Sequence, residues 1–411
     1  MVLNYIWVSF FLIAFVVALA RLIFLQDLQV FPALLTSTFD MAKTGFEISL
    51  YLTGVMSLWL GLMKIGEKGG MVKILSKVVG PFFARLFPGV PRDHPANGSI
   101  IMNFSANILG LDNAATPLGL KAMQELQELN PDKDTASDAQ ITFLVLNASG
   151  LTIIPLAIIA DRASIGIPNP TSIFLPTLIA TFASTMAGLL YLSYKQKIKL
   201  LDPVIISYVA GLTAIILGSV WYFTSLTPDQ LQIQSSLFSS IIILSIIIGF
   251  LVLGLRRKIP LFETFVDGAK EGFTTSVKII PYLVAMLVGI GVFRASGALD
   301  FIVDGIAWSF SLLHINTDFV KALPVALLKP LSGAAARGMM IETSKIYMDT
   351  DMFTVNLAAV FRGCAETTFY VLAVYFGSVN IRKTRYAVTA GLICDLAGFI
   401  AAIFVAYLFF R

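Results

Sequence analysis

The chain has 411 residues, 57% of them hydrophobic and 13% charged, with a formal net charge of +4 and a mean hydropathy of +0.84. An ordinary soluble domain is about 25% charged, so this composition excludes a soluble enzyme, a nucleic-acid binder and a disordered chain. A spanning helix needs roughly 20 apolar residues to cross about 30 Å of hydrocarbon, and a chain of this length holds on the order of ten. Cys364 and Cys394 both fall in apolar segments, so no disulfide framework is indicated, and His94 and His314 are too isolated for a histidine metal site. No metal or other cofactor is expected.

In chain order, residues 5–24 form the first apolar span. Ala18-Leu19-Ala20 imitates a signal-peptide cleavage site, but no Lys or Arg precedes the apolar run, which predicts a retained helix. Asp40–Phe46 reads DMAKTGF and leads into a span at 47–63. Residues 64–92 carry net +5 and read as an amphipathic helix on a membrane surface. A stretch with a weak centre follows at 97–129, then a span at 139–160 interrupted by Asn147–Thr152 and Pro155, then a span at 172–194. Residues 203–226 and 237–255 are long, apolar and uncharged. Asp267–Phe273 reads DGAKEGF and leads into a span at 278–293. Residues 294–318, net −2, form a second interfacial segment, followed by another weak-centred stretch at 320–347. A span at 354–377, interrupted by Arg362–Thr368, and one at 386–410 containing Asp395 complete a list of nine.

The heptapeptides match at five of seven positions, in matching context, and the second begins at Asp267 where the first begins at Asp40. A duplicated unit is the better reading than chance. Three basic clusters (Lys195, Lys197, Lys199; Arg256, Arg257, Lys258; Arg382, Lys383, Arg385) mark the cytoplasmic side. With that parity the two interfacial segments, of opposite charge, lie on opposite sides, as an inverted repeat requires. The N-terminus is then cytoplasmic. Helix 203–226 inverts the second copy, which gives a domain at 1–200 and another at 201–411, with 201–226 as the linker helix. Each weak-centred stretch returns to the side it entered from, and so reads as a re-entrant hairpin. The fold class expected is an all-α polytopic membrane protein with about nine transmembrane helices, two re-entrant hairpins and two interfacial amphipathic helices.

Broken helices point unpaired N–H or C=O groups into the membrane interior, where they bind polar solutes or ions. The side chains at these breaks are the candidate substrate-binding residues. In the first half they are Asn103, Asn107, Asp112, Asn113 and Thr116 on the hairpin, with Asn147, Ser149 and Thr152 on the broken span. The second half offers Ser332, Arg337, Arg362, Glu366 and Thr367. Arg362 and Glu366, at i and i+4, would pair across one helical turn. The plainer readings stand beside these: polar residues as glue between helices, and Arg362–Glu366 as an ordering salt bridge. Asp395 reads as structural or as a proton relay. No HExxH, GxSxG or Walker A pattern is present.

Met102–Met123 (MNFSANILGLDNAATPLGLKAM) resembles the signature of the spore maturation A family. Glu366–Gly377 (ETTFYVLAVYFG), Ile381–Arg385 (IRKTR) and Lys329–Gly333 (KPLSG) are similar to the spore maturation B family. The resemblance covers nearly the whole chain, about 1–200 for the A-like half and 201–411 for the B-like half. It implies a gate, or nucleoside-recognition, domain in each half. That group is related at domain level to concentrative nucleoside transporters and to the membrane part of ferrous-iron transporters. The implied fold is an inverted repeat with hairpins. The family name implies a role in spore core dehydration in spore formers, and fused forms resemble those of bacteria that make no spores.

Three functions compete. A solute transporter or channel predicts a cavity lined by Asn107, Asn113, Asn147, Ser332, Arg362 and Glu366, with a nucleoside-like or other small polar solute as substrate and an ion as the alternative. A membrane-embedded enzyme of the cell envelope needs Glu366 or Cys364 open to a lateral groove. A scaffold needs only a stable fold. The first is favoured, in a bacterial inner membrane, with the lipid bilayer and the solute as partners, no nucleic acid, and self-association left open.

Overall fold

A computed structural model describes residues 2–91, 93–108, 112–152, 155–224, 228–312 and 316–411. Among them there is no β-sheet. The first eight helices are α1 (Val2–Leu25), α2 (Val30–Lys68), α3 (Met71–Leu86), α4 (Pro95–Ile108), α5 (Asp112–Glu128), α6 (Asp138–Ser149), α7 (Leu156–Ser164) and α8 (Phe174–Gln196). After α9 (Pro203–Thr224) come eight more: α10 (Pro228–Arg256), α11 (Leu261–Ala295), α12 (Ala298–Ser311), α13 (Leu323–Leu328), α14 (Gly333–Tyr347), α15 (Met352–Gly363), α16 (Thr368–Ser378) and α17 (Ala387–Phe410). The two sets of eight correspond element by element. α4 with α5, and α13 with α14, are the hairpins; α6 with α7, and α15 with α16, are the broken spans.

Among the described residues, four segments are long and apolar enough to cross a membrane: Trp7–Leu25, Pro170–Gln196, Met352–Ser378 and Ala387–Phe410. Pro203–Gly218 and Ser240–Arg256 are shorter apolar helices. Large apolar side chains such as Phe15, Trp221, Ile241 and Phe404 stand on the outer surface. In water such patches would drive aggregation; in a bilayer they meet their solvent.

The heptapeptides are continuous with the spans they lead into. They lie inside α2 and α11, helices of 39 and 35 residues. At 1.5 Å per residue α2 is roughly 58 Å long, well beyond about 30 Å of hydrocarbon, so it tilts or projects past the bilayer. The glycines of the repeat serve packing, not a turn. α2 and α11 lie against each other along their length, and a Cβ built on Gly272 would lie 2.6 Å from the Met56 carbonyl oxygen and 2.7 Å from Ser57 Cα. Small residues let membrane helices approach this closely.

The contacts at this seam carry the symmetry of the repeat. Gly45 meets Val284, and Gly272 meets Ser57. The shift in numbering that carries Asp40 to Asp267 also carries Gly45 to Gly272, and its reverse carries Val284 to Ser57, so the first contact becomes the second. The same operation turns Gly268 against Lys64 into Met41 against Gly291, and both contacts are present. Residue numbers rise along one helix as they fall along the other, so the pair is antiparallel about a pseudo-two-fold axis. Gly70 and Gly297, related by the same shift, open α3 and α12 with φ of 86° and 84°, a backbone conformation that favours glycine.

The loops sort to two ends. Segment 134–136 binds 382–383 through backbone hydrogen bonds, and Arg385 pairs with Asp138. At the far end of α17, Arg411 pairs with Asp318 and Tyr407 Oη donates to Asn316. The first group holds the basic loop expected to be cytoplasmic. Gly272→Leu is expected to destabilise the protein by about 1–3 kcal/mol through overpacking. Gly54→Leu, where nothing stands within 4 Å, is expected to leave the melting temperature unchanged. Thermal unfolding in detergent measures both.

Candidate functional site

The two broken spans cross at their breaks. α6 ends at Gly150, whose φ of 58° turns the chain out of the helix. The carbonyl of Ala148, freed by that break, accepts a hydrogen bond from the Glu366 backbone amide at 2.8 Å. Glu366 lies in the opposite break, between α15 and α16. A Cβ at position 150 would lie 3.1 Å from both the Glu366 amide nitrogen and its Cγ, so the turn and the close approach both call for glycine.

Beside this crossing lies a cavity of about 50 Å³, whose lining mixes polar groups (Asn107, Asn147, Thr152, Thr185, Glu366) with a larger apolar share (Phe82, Phe83, Phe104, Leu146, Leu151). Space of that size holds on the order of four water molecules. Asn107 Nδ2 donates to Asn147 Oδ1 at 2.8 Å and to Asn103 Oδ1 at 3.3 Å. Asn103 in turn ties the hairpin arms, donating to the Ala115 carbonyl at 2.8 Å. Thr152 Oγ1 donates to the Gly150 carbonyl, and Ser149 accepts from Thr185 at 3.1 Å. The Glu366 side chain is 54% exposed and faces Lys329 at 3.9 Å.

Other expected residues sit elsewhere. Ser332 caps α14, accepting from the Ala335 amide, and does not line the cavity. Thr367 occupies the N-cap position of α16, and its Oγ1 lies against Gly333, so the N-termini of α14 and α16 abut. The side chains of Asp112, Asn113 and Thr116 lie outside the described residues. The expected Arg362–Glu366 pairing does not form. α15 ends at Gly363, so the helical turn that would align i with i+4 is interrupted. Arg362 instead lies 3.4 Å from Asp161 Oδ2.

Asp161, on α7, is fully buried and also accepts from Arg337 Nε at 3.0 Å and from Arg337 Nη2. Its neighbour Arg162, equally buried, donates to Asn356 Oδ1 at 2.8 Å and to the Pro170 carbonyl at 3.1 Å. Sequence reading missed Asp161 because it falls just past an apolar run, where a charge reads as a loop residue. Tyr375 was missed too, as one aromatic among many; its hydroxyl donates to Asn147 Oδ1 at 3.3 Å. Asp395 is buried, and neither carboxylate oxygen has a hydrogen-bond partner among the described residues. Cys364 is fully buried and donates to the Phe361 carbonyl, so it is not open to a lateral groove.

An all-helical, membrane-embedded inverted repeat with a small pocket of mixed lining where two broken helices cross defines a multi-pass membrane protein of the gate type. Residues 49–164 and 276–382 both match the family model Gate, described as nucleoside recognition. Together they make up more than half of the chain, and the chain belongs to this family. It is similar to Spore maturation protein A of Bacillus subtilis (strain 168), 42% identical over 199 residues, covering 48% of this chain and 98% of that protein. It is also similar to Spore maturation protein B of the same organism, 47% identical over 165 residues, covering 40% of this chain and 90% of that protein. No solved structure matches significantly.

Removing one partner of a buried ion pair costs about 3–5 kcal/mol, because a charge is left uncompensated. Asp161→Ala is therefore expected to lower the melting temperature strongly, and Asp161→Ala combined with Arg337→Leu to recover part of the loss. Equal stability of Asp161→Ala and the parent would show that the contact is not formed.

Proposed function

We propose that the protein is a transporter or channel for a small polar solute, with its site at the crossing of the two broken spans. The cavity at this crossing, with Asn107, Asn147 and Thr152 set among apolar neighbours, carries this reading. It joins Asn107 and Asn147 of the first half to Glu366 of the second. A nucleoside-sized solute exceeds a space of about four waters, so entry requires the halves to move apart, and an inverted repeat supplies the symmetric motion for alternating access. An ion is the alternative cargo that fits without such opening.

The first half, about 1–200, is read as the counterpart of Spore maturation protein A and the second as that of protein B. Residues 201–226 serve as the inverting linker. The basic clusters support insertion in a bacterial cytoplasmic membrane with the N-terminus inside. The burial of Cys364 leaves only Glu366, 54% exposed, for the enzyme reading, and a cavity with polar groups on its wall is more than a scaffold needs.

Proteoliposomes carrying the protein are expected to take up a member of a panel of nucleosides, amino acids, small carboxylates and ions, saturably and above empty vesicles. Asn107→Leu and Asn147→Leu are expected to reduce that uptake at least tenfold. No uptake of any panel member by the parent protein would overturn the reading.

A further inference from the structure

Asp395 stands in the middle of α17, 1% exposed, and neither of its carboxylate oxygens has a hydrogen-bond partner among the described residues. The break between α15 and α16 lies directly on this part of α17. Gly391 and Gly398, four residues before Asp395 and three after it, share its face of the helix and let the break approach. A Cβ at position 391 would lie 3.1 Å from Thr368 Oγ1, and one at position 398 would lie 2.8 Å from the Cys364 carbonyl oxygen. The two ends of the break thus straddle the Asp395 carboxylate, and each presents an oxygen that needs a partner. Thr368 Oγ1 is buried and has none among the described residues. α15 stops at Gly363, and no described backbone amide donates to the Cys364 carbonyl.

The charged groups that act on Asp395 are Lys329 and Glu366, and these two already face each other at 3.9 Å. The thiols of Cys364 and Cys394 stand beside it, both buried. The C-terminus of α15 and the N-terminus of α16 meet at the break with opposite dipoles, so they offset each other. An ionised Asp395 is therefore uncompensated, which is costly inside a membrane. Packing does not demand the acid. α8, the counterpart of α17 in the first half, buries apolar side chains, threonines and a serine, and no charge. A proton on Asp395 would supply one O–H, enough for one of the neighbouring oxygens. A metal cation among them serves all of them at once.

We infer that the Asp395 carboxylate, the Thr368 hydroxyl and the Cys364 carbonyl hold a monovalent metal cation, sodium or potassium, between α17 and the second break. Oxygen ligands suit such hard cations, and the carbonyl ends of broken helices coordinate them in membrane proteins. One carboxylate balances one positive charge, whereas a divalent ion would leave a surplus charge in the membrane. Bound there, the cation ties residues 364–368 to α17. It so steadies Glu366, whose amide binds the Ala148 carbonyl and whose side chain lines the cavity. The site is defined by binding alone and does not rest on the transport reading.

The full chain, purified in detergent with choline as the only salt cation, is titrated with sodium, potassium or choline chloride at matched ionic strength while thermal unfolding is followed. Sodium or potassium is expected to raise the melting temperature saturably and choline is not; whichever acts identifies the ion. Thr368→Val, which keeps the shape and removes the hydroxyl, is expected to weaken the apparent affinity about tenfold. Asp395→Asn is expected to abolish the saturable rise and, in choline alone, to be at least as stable as the parent, because the uncompensated charge is gone. Should Asp395→Asn fold poorly, Thr368→Val keeps the test decisive. No saturable rise with either metal ion, or a rise unchanged in both variants, would overturn the inference. A melting temperature indifferent to both ions that falls with rising pH only while Asp395 is present would also overturn it, in favour of a bound proton. Uptake in proteoliposomes keeps the two readings apart: saturable ion binding without flux of any solute would sink the transport reading alone, and solute flux without an ion-dependent rise would sink the cation site alone.

Discussion

A single backbone hydrogen bond, from the Glu366 amide to the Ala148 carbonyl, holds the arrangement on which the rest depends. Breaking a helix inside hydrocarbon frees N–H and C=O groups that no water can satisfy, at several kcal/mol each. Here two breaks are set against each other, and one freed amide answers the freed carbonyl of its pseudo-symmetric partner. The contact forms only because position 150 has no side chain and accepts a positive φ. It fixes where the halves cross, and it brings Asn147 of one half and Glu366 of the other onto the wall of one cavity. The long antiparallel seam of α2 and α11 then orients the halves about the same axis, through glycine contacts that recur at equivalent positions of the two copies.

The symmetry of the backbone is not kept by the chemistry. At one junction an amide and a phenol close the contact between halves. At the other, a buried aspartate lies between arginines. Neutral hydrogen bonds of this kind are worth about 1 kcal/mol net, so the neutral junction opens at modest cost. The charged junction opens cheaply only if something else pairs with the charges it releases. The two junctions therefore differ in charge: one is neutral, and at the other a buried aspartate holds two arginines.

Much of the architecture was legible in the sequence. Lengths of apolar run, loop charge and the DxAKxGF repeat predict two copies around a linker helix. Gly and small polar residues at 147–152 and 362–368 mark both breaks, because only there does the apolar pattern lapse in the middle of a span. Less legible was the pairing of charges. Arg362 and Glu366 have helical spacing, but spacing assigns partners only while the helix continues, and α15 stops at Gly363. Asp161 looks like a loop charge until the fold carries it against residues from 337 and 362. Similarly, nothing in the heptapeptides marks their glycines as close contacts between two long helices. Long-range partners of this kind have no local signal.

The most direct measurement is which side of the membrane each copy faces. Lys73 on α3 and Asp300 on α12 are equivalent positions of the repeat, and both are exposed. Cys364 and Cys394 are fully buried and give no background labelling. Lys73→Cys and Asp300→Cys, each introduced alone and probed with a membrane-impermeant thiol reagent on sealed vesicles of both orientations, are expected to label from opposite sides. Labelling of both from the same side would contradict the inverted repeat, and with it the crossing at the centre of the fold.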